Sequence, residues 1–382
     1  MIKGLDNTVN VYGMEPVKGK GAILFDKSGK KYIDMLAGVA VNVLGYNDPD
    51  INRAVKKQVD RYIHISRLFA NEHQNELTKL IIKNTFGKQV YFVNSGAEAN
   101  EVAIKLARKW GLLNKKGAYK IITFYNSFHG RTIATLTATA QEKFHKYLKP
   151  LSPGFVYAKF NDINDVKKKI DPKTAAILIE PIQAEGGVYA ADAGFLKQLR
   201  LLCDRKKIML IFDEVQTGMG RTGSLYAYQG YKVTPDVMTI GKGLGGGFPL
   251  AGAVVSKKFA GVFSLGDHGT TMGGNPVACV AGNIAVKKVA NPAFLKKVTE
   301  KGKFLMDELK KIKTDKIKDV RGRGLLIGLE LTVPADGVVK EAMKKGLLLN
   351  SPKPNLIRIV PPLVISKEEI KRAVNIIAGI LR

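Results

Sequence analysis

Residues 208–216 read Ile-Met-Leu-Ile-Phe-Asp-Glu-Val-Gln. Five apolar residues are too short a run for a helix, and they stop abruptly at two carboxylates. This is the pattern of a strand buried within a sheet, with Asp213 set at its carboxyl end. From about residue 89 to about 255, similar short β-branched runs alternate with longer stretches of helical period, the mark of a largely parallel sheet covered by helices. The expected strands are Gln89–Val93, Tyr119–Phe124, Ala175–Ile179, Ile208–Phe212, Val237–Ile240 and Ala251–Val255. Ala97–Trp110 and Gly194–Lys206 are expected helices, each with one apolar face. The core is therefore α/β and of the doubly wound kind.

The flanks read differently. Strand-like pieces stand near Gly21–Phe25 and Lys31–Asp34, and again near Leu325–Leu331 and Leu356–Ile359 among the helices of the tail. The expected division is a large α/β domain over residues 49–285 and a smaller α+β domain built from 1–48 and 286–382. A length of 382 residues suits such a pair.

With 45% hydrophobic and 25% charged residues, the composition is that of an ordinary globular protein. The formal charge of +28 would attract polyanions. Its lysines, however, fall in scattered pieces such as Lys167-Lys168-Lys169, Lys296-Lys297 and Lys310-Lys311 rather than in one basic arm. A solvated lysine-rich surface is the favoured reading, and no nucleic-acid partner is expected. Cys203 and Cys279 are far apart in helix-like stretches, so neither a disulfide framework nor a metal site is expected. The residues Met1–Asp6 lack the apolar core of a signal peptide, and no segment approaches 18 consecutive apolar residues. A cytoplasmic location away from membranes is expected.

In open α/β sheets, ligands bind beyond the carboxyl ends of the strands. After the first strand, Asn94-Ser95-Gly96-Ala97-Glu98-Ala99-Asn100 opens directly into a helix whose free N–H groups, around Ser95, Gly96 and Ala97, could cradle a phosphate. A plain helix cap on Asn94 or Ser95 accounts for the pattern as well. After the second strand, Ser127-Phe128-His129-Gly130-Arg131-Thr132 supplies a ring on which a flat cofactor could stack and a guanidinium able to fork onto a carboxylate. Taken singly, Phe128 also fits a core, His129 a structural role and Arg131 the surface. The third strand delivers Glu180-Pro181-Ile182-Gln183-Ala184-Glu185-Gly186-Gly187. Asp213, after the fourth, needs a partner if it is buried, and a protonated pyridine nitrogen, a turn or a structural arginine would each serve.

The fifth strand leads into Gly241-Lys242-Gly243-Leu244-Gly245-Gly246-Gly247. A P-loop is excluded, because Asp236 stands where its first glycine belongs and Gly243 where Ser or Thr must follow the lysine. Gly241, Gly243 and Gly246 match dinucleotide spacing, but Gly247 and Pro249 lead into a strand rather than a helix. The glycines then read as room for a bulky ligand around Lys242. A lysine able to form a Schiff base, an acid for a ring nitrogen and a phosphate cradle at successive strand ends point to pyridoxal chemistry, with Lys242 and Asp213 as the catalytic pair.

These segments resemble the class III, ornithine-type aminotransferases. The similarity runs from Pro16-Val17-Lys18-Gly19 to Arg358-Ile359-Val360-Pro361-Pro362. It is most specific in the stretches just quoted after the first two strands, in residues 213–223 (Asp-Glu-Val-Gln-Thr-Gly-Met-Gly-Arg-Thr-Gly) and in residues 268–276 (His-Gly-Thr-Thr-Met-Gly-Gly-Asn-Pro). The resemblance implies fold type I of the pyridoxal-phosphate-dependent transferases, whose large domain carries a mostly parallel seven-stranded sheet covered by helices. It implies pyridoxal 5'-phosphate held by Lys242, its ring nitrogen kept protonated by Asp213, its ring stacked on Phe128, its hydroxyl near Gln216 and its phosphate at Ser95, Gly96 and Ala97. Thr271 is implied to reach the phosphate of a neighbouring subunit, which makes the site a property of a homodimer; a simple turn residue is the other reading.

Arg131 is implied to take the carboxylate distal to the reacting amine, and Arg358 the α-carboxylate of glutamate or 2-oxoglutarate. Glu185 would neutralise Arg358 when the donor brings only an alkyl amine. The implied reaction is ping-pong transfer of the terminal amine of N2-acetylornithine to 2-oxoglutarate, as in arginine biosynthesis. Ornithine, succinylornithine, 4-aminobutyrate and lysine-pathway donors are the alternatives. Val9 and Val39 stand where ornithine-specific members have tyrosines, which favours an N-acylated donor. Tyr46-Asn47-Asp48-Pro49 replaces the family's His-x-His-Pro, and Met272 a more usual aromatic; both bear on specificity rather than on covalent chemistry.

Overall fold

The apolar run around residue 210 forms the centre of a seven-stranded sheet in the computed structural model, which describes Thr8 and residues 11–382. Val9 and the opening stretch Met1–Asp6 lie outside the described residues. In chain order the strands are β1 (Gly87–Val93), β2 (Lys120–Phe124), β3 (Phe155–Ala158), β4 (Thr174–Ile179), β5 (Met209–Asp213), β6 (Val237–Ile240) and β7 (Ala251–Ser256). Across the sheet they lie in the order β1-β7-β6-β5-β4-β2-β3. β5 pairs in parallel with β4 and β6, β2 in parallel with β4 and β3, and β7 runs antiparallel to both of its neighbours. Every residue of β4 and β5 is buried, as inner strands covered on both faces require. Six strands fall within two residues of their expected bounds. The edge strand β3 has no counterpart among the expected strands, because its four residues are mostly half-buried and carry no continuous β-branched run.

Side chains alternate between faces along a strand. Leu210 and Phe212 enter the larger core, with Phe195, Leu196 and Leu199 of helix α2 (Ala193–Lys206). Met209 and Ile211 enter the core beneath helix α1 (Gly96–Asn114), with Ala99, Val102, Ala103 and Leu106. The same alternation brings Asp213 out on the α1 side, at the carboxyl end of the central strand.

Helix α1 starts where it does because Ser95 and Glu98 form a reciprocal cap: Glu98 N donates to Ser95 Oγ at 3.2 Å, while the Glu98 carboxylate accepts from Asn94 N at 2.6 Å and Ser95 N at 3.3 Å. The helix lies close to the chain beyond it through Gly111, where a Cβ would stand 2.1 Å from the carbonyl oxygen of Ala118.

Both chain ends join one further sheet, in which Leu347–Leu348 pairs in parallel with Lys31–Asp34, itself in a meander with Ile23–Asp26 and Pro16–Lys20. Ile317–Arg323, Leu326–Leu331, Leu356–Ile359 and Asn350–Lys353 form a second, antiparallel sheet that carries Arg358. The strand expected at Gly21–Phe25 begins instead at Ile23, Gly21 making an isolated bridge to Tyr46. Arg221, buried, donates to the carbonyl oxygens of Leu325 and Pro361 and so ties the loop after Asp213 to the second sheet and the segment directly after it. Among the described residues, no helix is long and apolar enough to cross a membrane.

Candidate active site

Gly96, Ala97, Phe128, Arg131, Asp213, Gln216 and Lys242, drawn from successive strand ends, line one cavity of about 250 Å³. At its floor Asp213 is only 4% exposed. Its Oδ2 accepts from Asn100 Nδ2 at 2.8 Å and lies 2.8 Å from His129 Nδ1, while Oδ1 accepts from Val215 N at 3.1 Å. The turn reading of Asp213 thus holds for one oxygen. Among the described residues no lysine or arginine forms an ion pair with it. A buried carboxylate held ready by donors, yet lacking a full cation, fits a protonated heterocyclic nitrogen as its missing partner.

Lys242 stands at φ +47, a left-handed conformation costly for any residue with a Cβ. Burial pulls its ammonium down to about 8; Arg358 pushes the same way, and Glu185, Asp213 and Glu180 oppose both. At neutral pH, roughly one such lysine in ten is an uncharged nucleophile, several hundred times the fraction at an ordinary lysine. Attachment of an aldehyde to Lys242 in the apoprotein is therefore expected to speed up about tenfold per pH unit until about pH 8 and then to level off. A rate still climbing steeply at pH 10 would mean that the amine behaves as a surface lysine.

The glycines around Lys242 have a different cause from the one expected. A Cβ on Gly243 would strike Val43 at 2.5 Å, and Gly246 and Gly247 sit at φ +58 and +113, so they serve protein packing and a tight turn rather than a bulky ligand. The turn itself is the short 3-10 segment Lys242–Gly245, and it leads into β7, not into a helix.

Arg358, 2% exposed, makes a close ion pair from Nη1 to Glu185 Oε1 and donates from the same nitrogen to Gln216 Oε1 at 3.1 Å. Its Nε donates to Asn350 Oδ1 at 3.2 Å. Burial works to raise the Glu185 carboxyl, but Arg358 and Lys242 outweigh it and hold the acid below its usual range. Arg131 lines the cavity and is exposed, with its guanidinium 3.9 Å from the ring centre of Phe144 and 5.5 Å from that of Phe128. Phe128 is only half-buried, so its ring is not simply core.

Ser95 caps α1 and does not line the cavity, whereas the next two residues of the helix do. Thr271 is exposed and does not line this cavity; its neighbour Thr270 accepts a hydrogen bond from Asn94 Nδ2 at 3.2 Å. Sequence alone gives no role to two residues of the site. Asn100 contacts Asp213 directly. Glu180, buried, accepts from Phe128 N at 2.8 Å, and burial together with the charge of Asp213 holds its carboxyl well above the usual range. Its position directly after β4 is the available signal.

The family description Aminotransferase class-III matches residues 6–381. An acetylornithine aminotransferase of Caldanaerobacter subterraneus subsp. tengcongensis is 48% identical over 99% of this chain and 97% of its own length. A succinylornithine transaminase of Yersinia pseudotuberculosis is 44% identical over 93% of this chain and 89% of its own. Among solved structures, the ornithine aminotransferase of Toxoplasma gondii superposes with a TM-score of 0.94 at 32% identity, covering 98% of this chain and 92% of that one.

Proposed function

Because the chain belongs to the class-III aminotransferases, and is thus a pyridoxal-phosphate enzyme, we propose that it transfers the terminal amino group of N2-acetylornithine to 2-oxoglutarate. The products are N-acetylglutamate 5-semialdehyde and glutamate, as arginine biosynthesis in the cytoplasm requires. When bound, pyridoxal phosphate supplies the electron sink and carries the amino group between the two half-reactions. The remaining work falls to this chain. Lys242 holds the cofactor and moves the proton at the carbon bearing the amine, a task suited to an amine near pH 8. Asp213 keeps the ring nitrogen protonated, Phe128 stacks on the ring, and Gln216 faces the ring hydroxyl. The start of α1 receives the phosphate on the free N–H groups of Gly96 and Ala97, with Ser95, whose own N–H is taken by Glu98, as the cap beside them. Thr271, exposed in this chain, is read as reaching the cofactor phosphate of a second copy, which makes a homodimer with shared sites the working assembly.

The observation that carries the reading of a terminal-amine donor is the Arg358–Glu185 pair beside Lys242, set against an Arg131 with no ion-pair partner among the described residues. An N-acylated donor brings its carboxylate to Arg131 and presents only an alkyl amine to the ring, so Arg358 must be masked. Glutamate and 2-oxoglutarate bring a second carboxylate, which displaces Glu185. Glu185→Gln unmasks Arg358 in both half-reactions. The expected result is a loss of about tenfold in kcat/KM for acetylornithine, with that for glutamate unchanged or improved. The donor itself is tested by comparing acetylornithine, succinylornithine and ornithine with 2-oxoglutarate as acceptor. A tenfold preference for ornithine would overturn the assignment, and a preference for succinylornithine would move it to the neighbouring donor.

A further inference from the structure

We infer that Asn100, held by the His129 carbonyl and by Thr239, is a positioning residue that presents only a donor to Asp213 Oδ2 and leaves Oδ1 as the oxygen for the cofactor ring nitrogen. This deepens the reading of Asp213 given above and rests on it. In the parallel register of β5 and β6, Asp213 and Thr239 are direct partners, so both side chains emerge on the α1 face. Asn100 reaches down from the second turn of α1, and both it and Thr239 are almost fully buried.

Thr239 Oγ1 donates to Asn100 Oδ1 at 2.8 Å, and Asn100 Nδ2 donates to the carbonyl oxygen of His129 at 2.7 Å and to Asp213 Oδ2 at 2.8 Å. Every hydrogen of that amide is used. Rotating it by half a turn would set its oxygen against a carbonyl and a carboxylate, so the acceptor-only carbonyl of His129 fixes which end faces Asp213, and the Thr239 hydroxyl satisfies the amide oxygen. Asn100 can then only donate. His129 Nδ1, 2.8 Å from the same Oδ2, is a second donor as long as the carboxyl keeps no proton. Two N–H groups fill Oδ2, whereas Oδ1 takes one, from Val215, and keeps a lone pair free. Glu180, the other buried carboxyl of the cavity, accepts a single backbone N–H, from Phe128. The two acids therefore differ in the donors that reach them, not in the residue type.

The test is equilibrium binding of pyridoxal phosphate, and of its 1-deaza analogue in which carbon replaces the ring nitrogen, to the apoproteins by absorbance titration. Asn100→Ala is expected to weaken pyridoxal phosphate about tenfold and the analogue less than about twofold, the loss expected for a hydrogen bond to a charged group that only one ligand uses. Thr239→Val is expected to cause a smaller loss in the same sense, and Thr239→Ser to bind as the unaltered protein does. Thr239→Val also carries the test if Asn100→Ala does not fold. Equal losses for the two ligands, or no loss for either, would overturn the inference, since a merely structural role cannot distinguish nitrogen from carbon. Asp213→Asn is the control. Should it keep the full preference for pyridoxal phosphate, the reading of Asp213 itself fails; should it lose the preference while Asn100→Ala and Thr239→Val retain it, the inference alone fails.

Discussion

Lys242→Ala is expected to lower turnover by at least about 10⁴-fold while leaving the apoprotein folded and able to bind the cofactor without a covalent bond. The size reflects the loss of two functions at once, the amine that holds the cofactor and the base that moves its proton. The stability side is argued from burial. The side chain places a charge in a buried position, which is why its affinity for a proton falls to about 8. Alanine removes that cost, and because it too has a Cβ, the strain at φ +47 stays the same. Loss of activity therefore comes with a thermal midpoint that is level or raised. The measurements are turnover, the midpoint of the apoprotein and cofactor retention after denaturation. Turnover above a few per cent of the original would end the assignment of Lys242.

Much of the site was legible because α/β sheets make a strong promise: the residues directly after a buried strand lie at the ligand. Lys242, Asp213, Phe128 and Gly96 are found by that rule, and the structure brings them to one cavity. Asn100 carries a subtler signal. It lies four residues after Gly96, on a helix face otherwise made of Ala99, Val102, Ala103 and Ala107, and a polar group on an apolar face needs a partner. The partner, Asp213, is 113 residues away, and nothing local names it. The Arg358–Glu185 pair, 173 residues apart, is reached through family resemblance alone. The difference in donors between Asp213 and Glu180 is not written in the sequence at all. Both are acids directly after apolar strands, and the difference lies in donors supplied by α1, the loop after β2 and the loop after β5. Gly243 misleads for the same reason, since the methyl groups that exclude a Cβ there belong to Val43, far back in the chain.

Asp213→Asn is expected to cost about 10³-fold in kcat with little change in fold. A unit charge about 4 Å from a cation, in surroundings between water and dry protein, is worth about 4 kcal/mol, which corresponds to roughly that factor in rate. The substitution keeps shape, so the consequences can be traced atom by atom. The Oδ2 site faces Asn100 Nδ2, which can only donate, and His129 Nδ1, which donates in the tautomer that serves a carboxylate, each at 2.8 Å. The new amide satisfies them only by turning its oxygen towards them, and its NH₂ must then occupy the Oδ1 position. There it meets the ring nitrogen as a donor. An N–H at that position could not hold a ring nitrogen in its protonated form, and the electron withdrawal that the cofactor would supply there would be weakened. The same network that holds the aspartate ready therefore makes the asparagine a worse partner than a small apolar residue would be. Asp213→Ala is expected to retain somewhat more activity than Asp213→Asn, because an opened space admits water as an acceptor. If the asparagine variant kept more than a tenth of the original kcat, or outperformed the alanine variant, the donors at Oδ2 would not be controlling the ring.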